Sequence, residues 1–150
     1  MKKLMLIGVA VVALFVLAAC SAREAITASD FEMQMARAGY SVQDVTTQVD
    51  MSSLVSYHIA YLNNTYVEFL VLETESRAIR QFNDVQRMFI GSRGNVYSYR
   101  VSSASNFNRF SQTSNGEFLF VGRVDNTILL LMTDSDSRSE ADEIISLFGY

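Results

Sequence analysis

The chain has 150 residues, one cysteine, one histidine and no proline, and its formal net charge is −4 at pH 7. Because Lys2 and Lys3 are the only lysines, the rest of the chain carries 10 arginines against 16 acidic residues, a formal charge of −6. This acidic balance argues against a nucleic acid as partner. The length and the apolar content beyond residue 19 predict one globular domain.

The first 19 residues have the pattern of a secretory leader. Lys2 and Lys3 supply positive charge, residues 4–19 carry none, and two alanines precede Cys20. The uncharged run has 16 residues, fewer than the roughly 20 that a membrane-spanning helix needs. The pattern therefore favours a cleaved signal peptide. An uncleaved N-terminal anchor is the alternative.

The end of this leader, Leu17-Ala18-Ala19-Cys20, resembles the lipobox of bacterial lipoproteins. The resemblance implies cleavage before Cys20, thioether acylation of its sulfur and a further acyl chain on the new amino terminus; two or more chains hold a protein stably on a membrane. A structural or catalytic thiol is the alternative role for Cys20, although the chain offers no second cysteine for a disulfide. The predicted organisation is a signal peptide (1–19), a short tether (20–26) of roughly 25 Å reach, and one domain (27–150).

The domain begins with a predicted helix and a predicted strand. Thr27 and Asp30 have the spacing of a capping box, which places the helix start at Thr27. Gly39 is the kind of residue that commonly follows a helix end. The predicted inward residues of this helix are Phe31, Met35 and Ala38. A strand is predicted next, over residues 40–48.

A hairpin and a second helix follow. Two runs of β-forming residues, 54–62 and 65–72, are separated by Asn63-Asn64, and asparagine tolerates the positive φ of a two-residue turn. The second helix is predicted from Thr74 as N-cap to Gly91. Its predicted inward residues are Ala78, Ile79, Phe82, Val85 and Phe89.

Four more strands are predicted, over residues 96–101, 107–114, 118–124 and 127–133. Asn115-Gly116 and Asp125-Asn126 are typical two-residue turns. The last two strands are apolar on both faces, which is typical of central strands covered on each side. Across this pair we expect Phe118, Phe120 and Val124 opposite Leu131, Leu129 and Thr127.

The chain closes with a predicted third helix. Ser137 and Glu140 have the spacing of a capping box, and Gly149 marks the helix end. The predicted inward residues are Ala141, Ile144, Ile145 and Phe148. The element order predicts an α+β domain in which three helices pack on an antiparallel sheet of about six to seven strands.

Sequence patterns for common catalytic and metal sites are weak. His58 lies within a predicted strand and no Gly-x-Ser-x-Gly motif occurs, so we expect a sheet-face histidine paired with a neighbour. One histidine and no free cysteine argue against a zinc site. Residues 134–140 superficially resemble a calcium loop, but they lack the central glycine and place Arg138 at a ligand position. No metal and no cofactor is predicted.

Glu68 is the one acid in an aromatic setting, opposite Ile59 in the predicted hairpin and near Tyr57, Tyr61 and Tyr66. Aromatic rings stack on sugars or peptide side chains, and a carboxylate can orient such a ligand. These residues therefore form a candidate ligand or partner surface. The alternative, which we prefer, is a sheet edge whose tyrosines cover the core.

A second candidate surface is basic. Five arginines gather within 24 residues, with Asp84 as the only acid among them. They are Arg77, Arg80, Arg87, Arg93 and Arg100. Such a surface near a membrane could contact lipid phosphates or an acidic patch of a partner. A solvated helix face with an Arg80–Asp84 pair is the alternative.

The leader followed by a compact α+β body resembles the small, uncharacterised lipoproteins of Gram-positive bacteria. The resemblance is specific over residues 1–20 and general over 21–150, and it implies a lipid-anchored location on the extracytoplasmic face of the cell membrane. We expect a non-enzymatic binding or interaction module, with an envelope protein or a small ligand as partner. The alternatives are a structural role in the envelope and a cell-surface enzyme acting on cell-wall or carbohydrate material. The enzyme should hold Glu68 in a pocket beside a second carboxylate.

Overall fold

A computed structural model describes residues 22–91, 96–104 and 106–150, without the side chains of residues 96–99. Over these residues the chain forms three α-helices and seven strands, which confirms the predicted α+β fold. The helices are α1 (Ala28–Arg37), α2 (Glu75–Gly91) and α3 (Arg138–Leu147). The strands are β1 (Ser41–Asp44), β2 (Leu54–Leu62), β3 (Thr65–Leu72), β4 (Val96–Ala104), β5 (Phe107–Ser114), β6 (Glu117–Val124) and β7 (Thr127–Asp134). None of the described helices is long and apolar enough to cross a membrane.

The strands form one antiparallel sheet in the order β1-β2-β3-β7-β6-β5-β4. Neighbours in sequence are neighbours in the sheet, except that β3 pairs with β7, with Val67 opposite Leu131. Hairpins β2–β3, β5–β6 and β6–β7 turn at residues with positive φ, namely Asn63 (51°), Asn115 (53°) and Asp125 (49°). The turn residues therefore act as the sequence predicts.

Each face of the sheet has its own core. On the two-helix face, α1 packs on β1–β3 and α3 packs on β7, and Phe31 of α1 stacks on Phe69 at 5.1 Å between ring centroids. On the one-helix face, α2 packs on β3, β5, β6 and β7, and buries Phe82 and Val85 against Val121. The predicted central position of β6 and β7 is confirmed. Burying a large apolar side chain contributes about 1.5–3 kcal/mol.

Helix α1 begins as predicted, with a complete capping box. The Asp30 backbone N–H donates to Thr27 Oγ1 at 3.1 Å, and the Thr27 N–H donates to Asp30 Oδ2 at 3.2 Å. Gly39 follows the helix with a φ of 87°. Ala38, however, is exposed rather than inward, because it is already the C-cap residue. The strand after it ends at Asp44 instead of residue 48, and residues 46–48 form a 3₁₀ turn.

Helix α2 starts after Thr74, whose Oγ1 accepts from the Arg77 N–H at 3.3 Å. Its inward residues are as predicted except for Ile79, which is 39% exposed. The 3.6-residue period places Ala78 and Phe82 on the sheet and turns Ile79 away. Strand β4 extends to Ala104, beyond the predicted residue 101.

Two expectations about the C-terminal part are wrong. Ser137 makes no side-chain cap bond, because it lies in a 3₁₀ turn with a φ of −91° and a ψ of 16° rather than in extended backbone. The Glu140 side chain, the other half of the expected box, instead accepts a hydrogen bond from the Tyr40 hydroxyl. In the β6–β7 pair, Val124 faces Thr127 as expected, but Phe120 faces Leu131 and Phe118 faces Thr133. The two-residue turn at Asp125-Asn126 fixes this register.

Candidate functional site: an arginine groove

The two-helix face has an open end. Because α1 lies over β1–β3 and α3 over β7, strands β4 and β5 are left as the floor of a groove of about 790 Å³. Helix α3 and the segment before α1 form its walls. We call it the arginine groove, since its charged lining consists of Arg23, Arg100, Arg109, Arg138 and Asp142.

The floor combines arginines and serines from two paired strands. Arg100 of β4 lies opposite Ser111 of β5, and Ser102 lies opposite Arg109. All four residues line the groove. The two arginines are thus diagonal neighbours on one face of an antiparallel pair, roughly 7–8 Å apart at their backbones. The long side chains of Arg100 and Arg109 can therefore both contact a single ligand group that lies between them.

Arg23 closes one end of the groove and is held firmly. Its backbone exchanges two hydrogen bonds with the Asn106 amide, at 3.2 and 2.7 Å. Its guanidinium donates to the Gly149 carbonyl at 2.7 Å and lies 4.1 Å from the Phe107 ring centroid. Ala25 and Ile26 pack on the core. The part of the predicted tether that is free of the body is therefore shorter than residues 20–26.

Arg138 forms the wall on α3. Its Nε donates to both carboxylate oxygens of Asp142, at 3.1 and 3.0 Å, and its guanidinium lies 3.9 Å from the Phe118 ring centroid. This arginine already has a carboxylate partner and an aromatic ring beneath it. Its charge is therefore largely neutralised within the groove.

Arg109 and Arg100 are different. Within residues 22–91, 96–104 and 106–150, neither forms an ion pair with a carboxylate. Arg109 is half-buried above the Phe120 ring, at 5.6 Å from its centroid. Burial lowers the pKa of Arg109, the nearby charge of Arg23 lowers it further, and Asp142 opposes both effects. Arg23 has no carboxylate partner among the described residues either, but its guanidinium already donates to the Gly149 carbonyl. Arg100 and Arg109 are therefore the guanidiniums of the groove with the most donors available to a ligand.

The inner wall of the groove depends on a close approach at Gly122. A Cβ atom there would lie 2.6 Å from Tyr150 Cδ1 and 2.8 Å from Phe120 Cζ. Tyr150 is buried, and its hydroxyl shares a hydrogen bond with Thr127 Oγ1. Burial raises the pKa of Tyr150. Tyr150 therefore forms a packed, uncharged part of the groove wall.

The lining is suited to binding anions. Apart from Asp142, which Arg138 engages, its polar side chains are guanidinium and hydroxyl groups that donate hydrogen bonds. No cluster of three or more His, Cys, Asp or Glu residues suited to a metal occurs in the described part of the chain. Residues 134–140, the superficial calcium-loop match, form a 3₁₀ turn leading into α3.

The structure brings Tyr57, Tyr61, Tyr66 and Glu68 together on the one-helix face of the sheet. The arginine groove lies on the other face. Glu68 pairs with Ile59 as expected, and Tyr61 pairs with Tyr66. The Tyr57 hydroxyl donates to Glu68 Oε2 at 2.6 Å. Burial raises the pKa of Glu68, and this hydrogen bond partly offsets the effect.

Glu68 lines neither of two cavities in the described part of the chain, the arginine groove and a smaller cavity of about 130 Å³ beside Asn64 and Met132. Its side-chain hydrogen bond in the described structure comes from Tyr57, and no second carboxylate contacts it there. The cluster is a partly exposed patch of sheet, with Tyr61 44% exposed.

The predicted basic surface is divided. Arg77, Arg80 and Arg87 lie exposed on α2, whereas Arg100 lies across the sheet in the arginine groove. Asp84 pairs with Arg87 and not with Arg80. Arg93, like the leader and Cys20, lies outside the described residues. The expectation that Arg100 shares a basic face with the arginines of α2 is wrong, because β4 places Arg100 on the other face of the sheet from α2.

His58 has the structural role that the sequence predicts. It is buried on the two-helix face, with Nδ1 3.0 Å from Glu32 Oε1 of α1. The contact is at ion-pair distance but outside hydrogen-bond geometry. The ring also lies 6.5 Å from the Phe31 ring. Neither residue belongs to the groove.

The sequence patterns do not mark Arg23, Arg109 and Arg138 as site residues. A usable signal existed in the alternation of Arg100 with Ser102 and of Arg109 with Ser111, which places each pair on one side of its strand. Aligning the two pairs required the register of the β4–β5 hairpin. That register depends on β4 continuing to Ala104, which the polar sequence 102–106 concealed.

No protein-family profile matches the chain, and no curated protein matches it. Among solved structures, the chain is similar to a crystal structure described as a GTP binding regulator from Thermotoga maritima. The sequence identity is 15% and the TM-score is 0.44, over 73% of this chain and 78% of that chain. A similarity at this level carries no argument about function.

Proposed function

We propose that the chain is a membrane-anchored extracytoplasmic lipoprotein whose folded body is a non-enzymatic binding module for anionic ligands. The observation that carries the binding part is the arginine groove, where Arg100 and Arg109 have no acidic partner among the described residues. The membrane location is supported by the leader and by the lipobox-like Leu17-Ala18-Ala19-Cys20.

The charge distribution supports a binding role. The chain beyond the leader is acidic, yet four of its ten arginines line one groove with a single carboxylate among them. Like charges held together in a partly desolvated site oppose one another. A bound anion would remove this repulsion, so the groove favours an anionic ligand more than a neutral one.

The groove would also lie close to the anchor. Arg23, at its end, is three residues after Cys20, and three residues span at most about 11 Å. If Cys20 carries the lipid, ligands reach the groove at the membrane surface. An envelope protein presenting an acidic segment is the candidate macromolecular partner for the same charges.

Mass spectrometry of the full chain isolated from its own host tests the location. We expect a polypeptide that begins at Cys20 and carries acyl chains on the sulfur and the amino terminus. A chain that begins at Met1, or one with an unmodified Cys20 sulfur, would contradict the anchored location. It would leave the binding proposal to be judged separately.

Thermal unfolding of the full chain in neutral detergent tests the binding. Sulfate, phosphate and succinate are titrated at constant ionic strength against chloride. We expect at least one multivalent anion to raise the melting temperature with saturation, since a ligand that binds only the folded state stabilises it. The increase should be lost in Arg109→Gln and kept in Arg80→Gln. Equal melting temperatures in all salts would overturn the binding proposal.

A cell-surface enzyme acting on cell-wall or carbohydrate material through Glu68 is the second candidate. It is supported by the raised pKa of a half-buried carboxyl among tyrosines, a pattern found in general acids. The test is release of soluble fragments from cell-wall material by the wild type and Glu68→Gln. Release that requires Glu68 would place this function first.

A further inference from the structure

We propose that the arginine groove recognises a phosphate group, held by Arg100, Ser102, Arg109 and Ser111 on its floor. This inference rests on the proposed anion-binding function and names its ligand class. The four residues form two neighbouring cross-strand pairs on one face of β4 and β5, and each pair joins an arginine to a serine. Arg100 faces Ser111, and Ser102 faces Arg109. All four line the same groove.

The donor pattern favours a phosphate over a carboxylate. A carboxylate offers two oxygens, which one guanidinium can satisfy through two parallel hydrogen bonds. A phosphate offers three or more acceptor oxygens and a charge of up to −2. The guanidiniums of the two arginines and the hydroxyls of the two serines can donate to several such oxygens at once. The charge of the two arginines also equals that of a phosphate dianion with opposite sign.

The rest of the groove supports the same ligand. Arg109 is half-buried over the Phe120 ring and has Arg23 as a neighbouring charge. Arg23 is fixed by Asn106 and Gly149, and Arg138 by Asp142. These anchored arginines define the ends of the groove. Arg100, which is exposed, is the side chain that would close on the ligand.

Two sources can supply this chemistry: a soluble phosphate or phosphate monoester, or the monoester headgroup of a phospholipid such as phosphatidic acid. The groove is open and its lining is polar, so the phosphate itself would be recognised in either case. The short distance from Arg23 to the predicted lipid attachment at Cys20 makes the second source sterically accessible. Both sources place the phosphate between the same two arginines.

The first experiment measures calorimetric binding of inorganic phosphate and of succinate to the full chain in neutral detergent. We expect saturable phosphate binding that is tighter than succinate binding. The variant Arg100→Gln with Arg109→Gln should weaken phosphate binding by at least about tenfold. The matched control, Arg77→Gln with Arg80→Gln on α2, removes the same charge outside the groove and should leave the affinity unchanged.

The outcomes separate the two proposals. Succinate binding as tightly as phosphate, with both lost in the groove variant, overturns the phosphate inference and leaves the anion-binding function standing. Absence of saturable binding by any anion overturns both. An equal loss in the α2 control overturns the assignment to the groove. Far-ultraviolet circular dichroism of each variant checks that a loss of binding is not a loss of fold.

The second experiment distinguishes the source. The full chain is placed in lipid nanodiscs of phosphatidylcholine, of phosphatidylcholine with phosphatidic acid, or of phosphatidylcholine with an equal charge of oleate. A phospholipid ligand competes with inorganic phosphate in the phosphatidic acid discs and not in the oleate discs. A soluble ligand leaves phosphate affinity equal in these two, because surface potential acts alike in both. Either result supports the phosphate site; weaker phosphate binding in oleate than in phosphatidic acid discs contradicts it.

Discussion

Two arginines on neighbouring strands, one on each face of the sheet, show how differently the fold treats the same side chain. Arg123 of β6 is 2% exposed on the one-helix face. Its guanidinium donates to Asn108 Oδ1 at 2.6 Å, Glu75 Oε1 at 2.9 Å and the Asp125 carbonyl at 3.0 Å. Arg109 of β5 faces the open groove with an aromatic ring beneath it and no carboxylate partner among the described residues.

The difference separates a cation that serves the fold from one that the proposed function assigns to ligand binding. A buried charge is tolerated when its donors are satisfied, and Arg123 uses its contacts to tie the start of α2 to the sheet. Arg109 is less buried, and none of its guanidinium donors bonds a carboxylate among the described residues. Exposed arginines such as Arg77 and Arg80 also form no ion pair there, but Arg109 is half-buried in a groove. The proposed ligand would account for an unpaired charge in that position.

The largest predicted effect tests the structural side of this comparison. Arg123→Ala removes three hydrogen bonds, leaves Asn108 without its donor and opens a cavity under α2. We expect the free energy of unfolding to fall by about 3 kcal/mol or more. Urea denaturation of wild type and variant measures the change. A fall in the free energy of unfolding of less than about 1 kcal/mol would show that Arg123 does not hold α2 on the sheet.

A smaller effect is expected at the inner wall of the groove. Gly122→Ala places a methyl group against Tyr150 and Phe120, where contacts of 2.6 and 2.8 Å cannot be accommodated without movement. Overpacking of this kind costs about 1–3 kcal/mol. Gly91→Ala, which meets nothing within 4 Å, is the control and should be neutral or slightly stabilising. Equal stability of the two variants in urea would mean that Tyr150 and Phe120 move away from the added methyl group at little cost in free energy.

The one-helix face was more accessible to sequence reasoning than the groove. Apolar alternation and the turns at Asn63, Asn115 and Asp125 predict the hairpins, because those signals are local. The periodicity that places Phe82 and Val85 inward is local too. Some failures were local as well, such as the outward position of Ile79, but the contact that Glu140 makes with Tyr40 is tertiary and has no local signal.

The groove is itself a tertiary feature. Arg100 stood out in the sequence, but among the arginines of α2, because nearness along the chain was the available evidence. The fold instead groups it with Arg109 through strand pairing and with Arg23 through the Asn106 contact. A surface made by residues 23, 100, 109 and 138 has no signature in any one stretch of sequence.

The protonation of Glu68, an acidic residue on the one-helix face, should also affect the stability of the fold. Burial raises its pKa above the ordinary value of 4.5, so the folded state holds the proton to a higher pH than the unfolded state. Stability is therefore lost as the pH rises through the folded-state pKa. Glu68→Gln should be more stable than wild type at pH 7, with the difference becoming smaller as the pH falls below 4.5. Urea denaturation at both pH values measures it, and a variant less stable at pH 7 would indicate a charge-dependent role for Glu68.

The smallest predicted effect has the opposite sign to that at Arg123. Arg109→Gln removes a charge that Arg23 repels and that no carboxylate in the described structure pairs with. Without ligand, we expect stability to be unchanged or raised by about 0.5 kcal/mol at low salt, with the gain fading as salt screens the repulsion. Urea denaturation at low and high sodium chloride measures this. Destabilisation like that of Arg123→Ala would show that Arg109 serves the fold. A neutral or stabilising result alongside lost anion binding would show that its free donors serve the ligand.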